Sequence, residues 1–391
     1  MFDRWTRRTT APRPTTRLRI EALEDRWVPA TLIVDDNPHP GAFTSIQAAV
    51  NAAHSGDTIR VFPGTYTEQV TVPDTKDRIT LSAVEPGTAV VKAPATLAGT
   101  DGLIQIDGAD DVTVRGFKIT GPGSLFAGVW VYHGGSAVIE NNTITSIRQD
   151  PLSGVQGGIG VVLGRGGTPG DAVILNNKIT DYQKEGITAA YAGSDAVILG
   201  NTITGAGPTA VIAQNGVDVN TGADAYIAGN TITGNVYTVD NSAAGVLVFD
   251  AGHVTALGNR VTGNSEGVIA QSTDGIALLL NDVRGSAANG IDLGSLTGAT
   301  VAGNVVRDSG QDGIILRDVA DSLVTANLVL NSGADGIALT DGSSGNKVRF
   351  NVALGSGGHD LSDDTTGSGT AGTANTWAFN VHQTASPPGL K

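Results

Sequence analysis

The chain has 391 residues, a formal net charge of −14, 16% charged and 5% aromatic residues, 54 glycines and no cysteine. Disulfides and thiolate metal sites are therefore excluded. No apolar run reaches the ~18 residues of a membrane-spanning helix, and the acidic balance disfavours nucleic acid as a partner. Many small turns around a narrow aliphatic core fit this composition, as one solenoid or two ordinary domains.

Residues 1–20 hold six Arg and one Asp among Thr and Pro, which predicts a disordered arm. The arm lacks the continuous apolar stretch of an ordinary secretory signal. Next comes Arg17-Leu18-Arg19-Ile20-Glu21-Ala22-Leu23-Glu24-Asp25-Arg26-Trp27-Val28-Pro29-Ala30. This segment resembles the LEDR-x-x-PA stretch near the N-termini of many large surface and secreted proteins of planctomycete bacteria. The resemblance implies export and an extracellular or cell-surface location. A short amphipathic linker helix is the alternative. Residues 1–40 are assigned to this export- or anchor-like segment.

Residues 41–75 read as a cap. Thr44-Ser45-Ile46-Gln47 has a T-x-x-Q capping-box pattern. Ile46, Ala49, Val50 and Ala53 then share one helical face. Thr58–Phe62 is a strand, Pro63-Gly64 turns it, and Thr65–Val72 is a second extended run. An open solenoid end needs such a cover. The string Phe43-Thr44-Ser45-Ile46-Gln47-Ala48-Ala49-Val50, followed by Gly56-Asp57-Thr58-Ile59-Arg60-Val61-Phe62-Pro63-Gly64-Thr65-Tyr66-Thr67-Glu68, resembles the opening of pectin-lyase-like right-handed β-helix proteins. That scaffold serves lyases, hydrolases, esterases and non-enzymes, so it names no reaction.

Residues 76–354 carry the coils. Asn259, Asn281, Asn304, Asn327 and Asn351 recur at 22, 23, 23 and 24 residues, in phase with Gly245, Gly267, Gly290, Gly313 and Gly336. Two markers in phase mean stacked units. One unit, Asp312 to Leu330, opens on Asp312-Gly313, which reads as turn chemistry because Gly tolerates positive φ, as does its equivalent in every coil. Three short β-rich runs separated by bends follow and leave no room for a helix. Such a unit cannot bury its own apolar face, so its strands must pair in parallel with the coils above and below. A leucine-rich repeat has a similar period but needs a Leu spine and a longer connecting segment. Earlier coils are longer, with Asn142, Asn177, Asn201 and Asn230 each opening Asn-x-Ile-Thr. Phe117 stands in the Asn place before them. The expected fold is all-β, a single right-handed parallel β-helix of roughly 10–12 coils and about 50 Å, with an N-terminal capping helix. Handedness follows from the resemblance and the crossover rule. The Asn residues read as stacked amides at a bend that tolerates left-handed backbone. Residues 355–391 read as a C-terminal cap and tail that resembles the ending of bacterial right-handed β-helix repeat proteins, with Trp377 and Phe379 covering the open end.

Alternation places the first and third residues after each Gly marker inward and the second and fourth outward. The second-position row reads Trp130, Gly160, Thr188, Asp218, Leu247, Ile269, Asp292, Ile315, Ala338; the fourth reads Tyr132, Val162, Ala190, Asn220, Phe249, Gln271, Gly294, Arg317, Thr340. This face mixes aromatic and apolar residues with Asp218, Asn220, Gln271, Asp292 and Arg317. In the resembled family the matching face binds polysaccharide. That implies sugar stacking on Trp130 and Tyr132, with Phe249 beside them, and hydroxyl bonding by Asp218 and Asn220. The alternative is that long loops cover the face and bury its aromatics.

Catalytic candidates are Asp218, Asp292 and Arg317. Asp218 and Asp292 lie three coils apart, roughly 14 Å, beyond the about 5–9.5 Å of glycosidase carboxylates. The family's hydrolases carry clustered Asp with His-Gly and Arg-x-Lys motifs, which are absent here. Its lyases use an Arg or Lys base beside calcium. An ion pair with Asp292 competes with Arg317 as such a base. Asp312 and Asp335, with Glu266 and Asn289 before them, and Asp318 with Asp341, form short acidic ladders. Calcium is the one cofactor they suggest, against plain turn residues. His133, His253 and His359 show no metal spacing. The functional expectation is a secreted or surface β-helix that binds a polysaccharide or envelope glycan, or acts as a structural module, without catalysis. A polysaccharide lyase or glycoside hydrolase acting on an acidic glycan is the alternative.

Overall fold

The computed structural model describes residues 28–97, 102–121, 123–164 and 166–391. The Arg-rich arm and residues 17–27 of the export-like segment lie outside these. The described chain winds into a parallel β-solenoid of about 14 turns, more than the 10–12 expected. The early coils account for the difference, because they carry neither marker and their strands are spaced by irregular loops. Three parallel sheets of 15, 12 and 13 strands run along the rod. The first sheet reaches back to Thr31–Val34, which pairs with Thr58–Val61, inside the stretch assigned from sequence to the arm.

Residues at the first and third positions after the Gly marker build the core. Val246, Val268, Ile291, Ile314 and Ile337 form one aliphatic stack and Val248, Ala270, Leu293, Leu316 and Leu339 another, all buried and in register. Each such Val, Leu or Ile contributes roughly 1.5–3 kcal/mol by leaving water.

The Asn marker forms the expected ladder. Asn304 donates Nδ2–H to Leu278 O at 2.8 Å and to Asn327 Oδ1 at 3.0 Å. Its own Oδ1 accepts from Asn281 N at 2.9 Å and Asn281 Nδ2 at 3.0 Å. The left-handed residue at this bend is the one before the Asn: Gly258, Leu280, Gly303, Ala326 and Phe350 have φ between 54° and 68°.

The Gly marker has a different cause from the turn chemistry expected. None of Gly245, Gly267, Gly290, Gly313 and Gly336 has positive φ. A Cβ on Gly290 would lie 2.3 Å from Val306 Cγ1 and 2.6 Å from the Gly313 carbonyl oxygen. The glycine keeps coils close. Gly290→Ala should therefore destabilise the protein by roughly 1–3 kcal/mol through overpacking, measured by urea unfolding.

The capping helix is Ile46–Ala52, with Ile46, Ala49 and Val50 buried as expected. Its cap sits one residue later than the capping box implied. Ser45 is the N-cap, and Ala48 N donates to its Oγ at 3.1 Å. The carboxylate comes from outside the helix: Ile46 N and Gln47 N donate to Glu68 at 2.8 and 3.0 Å. Gln47 instead pairs with the Thr71 backbone. At the other end Trp377 is buried, its Nε1–H donating to Asp363 Oδ2 at 2.7 Å. Phe379 does not cover the core but is exposed, and Leu390 is buried there.

Candidate functional site

The third sheet carries the outward rows. Its register is Thr188, Asp218, Leu247, Ile269, Asp292, Ile315, Ala338 in one row. Ala190, Asn220, Phe249, Gln271, Gly294, Arg317 and Thr340 form the other. Both match the sequence reading except in one coil. Trp130 pairs with Val162, not Gly160. An insertion before Ile159 moves that coil by two residues, which preserves inward–outward parity.

Trp130 and Tyr132 are buried. Trp130 donates Nε1–H to Gly164 O at 2.9 Å and packs against Phe126, Ile159, Val162 and Tyr132. Tyr132 donates to Gln105 Oε1 at 3.2 Å. Phe126 from the preceding loop and Ile159 from the next strand of the sheet complete a small apolar cluster here, and both rings are buried. Phe249 is 49% exposed. It stands between Asn220 and Gln271 in register, beside half-buried Leu247 and Ile269.

Two carboxyl pairs flank this apolar centre. Asp218 is buried, with Oδ1 lacking a hydrogen-bond partner. Desolvation first, then the charge of Glu185, pushes its carboxyl well above the usual range. Thr188 Oγ1 donates to Glu185. Three coils on, Asn289 Nδ2 bridges Glu266 Oε1 at 3.5 Å and Asp292 Oδ2 at 3.3 Å. Burial and then the Asp292 charge push Glu266 up to about 8. Asp292 pairs with Arg317 through Oδ2, while buried Oδ1 has no partner. Asp218 and Asp292 are thus not brought together; each has its own carboxyl neighbour, one coil earlier. Glu185 escaped the sequence reading and Glu266 was noted only as part of a ladder. Alternation alone gives no sign of either, since the residue just before the marker shares the inward parity of the first and third residues after it.

The acidic row before the marker is a chain of backbone acceptors. Asn289 N donates to Glu266 Oε2 at 2.9 Å, Asp312 N to Asn289 Oδ1 at 3.0 Å, Asp335 N to Asp312 Oδ1 at 2.8 Å and His359 N to Asp335 Oδ1 at 2.6 Å. Burial raises the Asp312 carboxyl. Asp318 and Asp341, both left-handed, line a cleft of about 360 Å³ with Gln271, Asp292 and Arg317. Among the described residues no group of three or more His, Cys, Asp or Glu could hold a metal ion. No helix among them is long and apolar enough to cross a membrane.

Two family profiles match the chain. One, described as "Right handed beta helix region", covers residues 102–283. The other, "Periplasmic copper-binding protein (NosD)", covers residues 206–378. That second segment holds two histidines, His253 and His359, in separate connecting segments and each near an Asp, with neither Cys nor Met. This donor set does not fit copper, which favours imidazole and sulfur ligands. No curated protein matches the sequence. Solved structures do. The A-module of an Azotobacter vinelandii mannuronan C-5 epimerase is 15% identical, with TM-score 0.56 over 88% of this chain and 95% of that one. A mannuronic acid specific polysaccharide family 6 lyase from human gut microbiota is 12% identical, with TM-score 0.57 over 90% and 87%. A periplasmic alginate epimerase is 13% identical, with TM-score 0.51 over 83% and 76%. At such identity the likeness shows the fold alone: the chain is a right-handed parallel β-helix.

Proposed function

We propose that this is an exported β-helix that binds a polysaccharide across the outward face of the third sheet, centred on Phe249. The half-exposed Phe249 between Asn220 and Gln271 carries the reading. An aromatic face packs on the C–H face of a sugar ring while neighbouring amides bond its hydroxyls. Leu247 and Ile269 widen the platform, and Arg317 borders it. Related folds named as mannuronan epimerase and mannuronic acid lyase support a glycan as the ligand class. The export-like segment supports an extracellular or cell-surface location. A glycan array identifies the ligand. Phe249→Ala should then weaken it about tenfold, roughly 1.4 kcal/mol, by titration calorimetry. Unchanged affinity would refute the site.

A second reading is glycoside hydrolysis by Glu266 and Asp292. It rests on the bridged pair: burial and the Asp292 charge hold Glu266 protonated near neutrality, and Asp292 is paired with Arg317. A protonated carboxyl beside a second carboxyl suits an acid and its partner. The burial of Glu266 stands against it, because sugar must reach the acid. Release of reducing ends that Glu266→Gln abolishes, with binding retained, would establish hydrolysis over binding alone.

A further inference from the structure

The bend between the first and second sheets carries an aromatic pair away from the Phe249 face. Each coil turns there through one residue of positive φ, just before the buried Asn. At Gly200, Gly229, Gly258 and Gly303 that residue is glycine, which adopts the conformation without steric cost, and Leu280 and Ala326 take the same place in two other coils. In the last two coils it is Phe350, φ 58°, and Phe379, φ 60°. A bulky L-residue is strained in this region. Burial does not offset the strain, because the two side chains are 53% and 73% exposed. The rings stack on each other, centroids 5.2 Å apart and planes 7° from parallel. Strain kept on exposed side chains is a mark of functional sites.

The same corner holds two cations. Lys347 and Arg349 lie two residues apart on the strand Lys347–Arg349 and both are exposed, so alternation places both side chains on the outer face, their Cα atoms about 7 Å apart. The Arg349 guanidinium carbon lies 5.9 Å from the Phe350 ring centre. Lys347 and Arg349 line a cleft with Asp321, Ser322, Leu323 and Gly345, two cations to one carboxylate. In a chain of net charge −14 this is a local positive complement to an anion.

We propose that the Phe350–Phe379 corner is a second saccharide site, independent of the Phe249 face, and that it takes an anionic sugar. A pyranose ring continues the aromatic stack on Phe379. Its carboxylate or sulfate pairs with Arg349 and Lys347, the guanidinium offering a planar fork to either anion. The apolar C–H face of the sugar and the flat ring exclude water from each other.

The test uses the full chain, with a mannuronate hexasaccharide, a sulfated hexasaccharide and neutral cellohexaose as probes, followed by titration calorimetry and light scattering. At least one acidic probe should bind more tightly than cellohexaose. Phe379→Gly should weaken it about tenfold without lowering the melting temperature, since glycine is the residue this bend accommodates. Lys347→Ala with Arg349→Ala should weaken the acidic probe and leave the neutral one unchanged. Phe249→Ala should leave this binding event in place. If acidic probes bind no better than cellohexaose, or Phe379→Gly leaves their affinity intact, the proposal falls. Binding lost only in Phe249→Ala would overturn this site and keep the other; binding lost only in Phe379→Gly would do the reverse. A parent dimer that Phe379→Gly converts to a monomer would make the corner a self-association surface and overturn the saccharide assignment.

Discussion

Asn304→Ala is expected to destabilise the rod by about 3–5 kcal/mol. The amide is buried and holds both neighbouring coils: it receives the backbone and side-chain N–H groups of Asn281 and donates to Leu278 O and Asn327 Oδ1. Alanine leaves the Asn281 backbone N–H without its acceptor, leaves Asn281 Nδ2 with Ala256 O alone, and removes a donor from Leu278 O and from Asn327 Oδ1. Each buried unsatisfied group costs about 1–3 kcal/mol, and the void adds to it. Stacked repeats transmit the loss to adjacent coils. Urea unfolding with hydrogen exchange on coils 281–327 checks this. Asn241→Ala on an exposed loop should change stability by less than about 0.5 kcal/mol. Equal effects at the two positions would show that the ladder is not a principal support.

The second large effect is on pH dependence. Glu266 has its carboxyl raised from 4.5 to about 8, first by burial and then by the Asp292 charge. Between those values the folded state binds the proton and the unfolded state releases it. The stability associated with this group is therefore complete below about pH 4.5 and is lost as pH rises to about 8. Asp218 and Asp312, also raised, act with the same sign. The urea midpoint of the parent should fall between about pH 5 and about pH 9. Glu266→Gln, which keeps the shape and cannot ionise, should flatten that fall. A parent midpoint that rises with pH over this range, or a Glu266→Gln slope as steep as the parent's, would contradict the assignment.

The repeating part of the fold was legible because its causes are local and periodic. Asn281, Asn304 and Asn327 sit where their spacing placed them, and Ile314 and Leu316 point inward as alternation required. The outward rows from Thr188 to Thr340 followed from the same parity. What escaped depends on contacts between coils at irregular separations. Gly290 was read as a turn residue because its clash partners, Val306 and Gly313, are visible only once coils are stacked. Alternation marks Trp130 and Tyr132 as outward sugar platforms, whereas Phe126, from a loop without period, and Ile159, on the next strand, pack against Trp130 and Tyr132 and bury them. Glu68 caps the first helix from 22 residues away. Glu266 looked like one rung of a ladder, and its carboxyl is raised first by burial and then by Asp292 in the next coil. Phe379 was placed over the core end by its apolarity, whereas its bend turns it outward.

The central claim is that a glycan lies across Asn220, Phe249 and Gln271. A crystal structure with a hexasaccharide of the glycan selected by the array tests it most directly. The account predicts a sugar ring packed on Phe249, with hydroxyls at Asn220 and Gln271 and the chain running toward Arg317. A bound hexasaccharide that leaves Phe249 in contact with solvent, or an array on which no glycan binds, would contradict it.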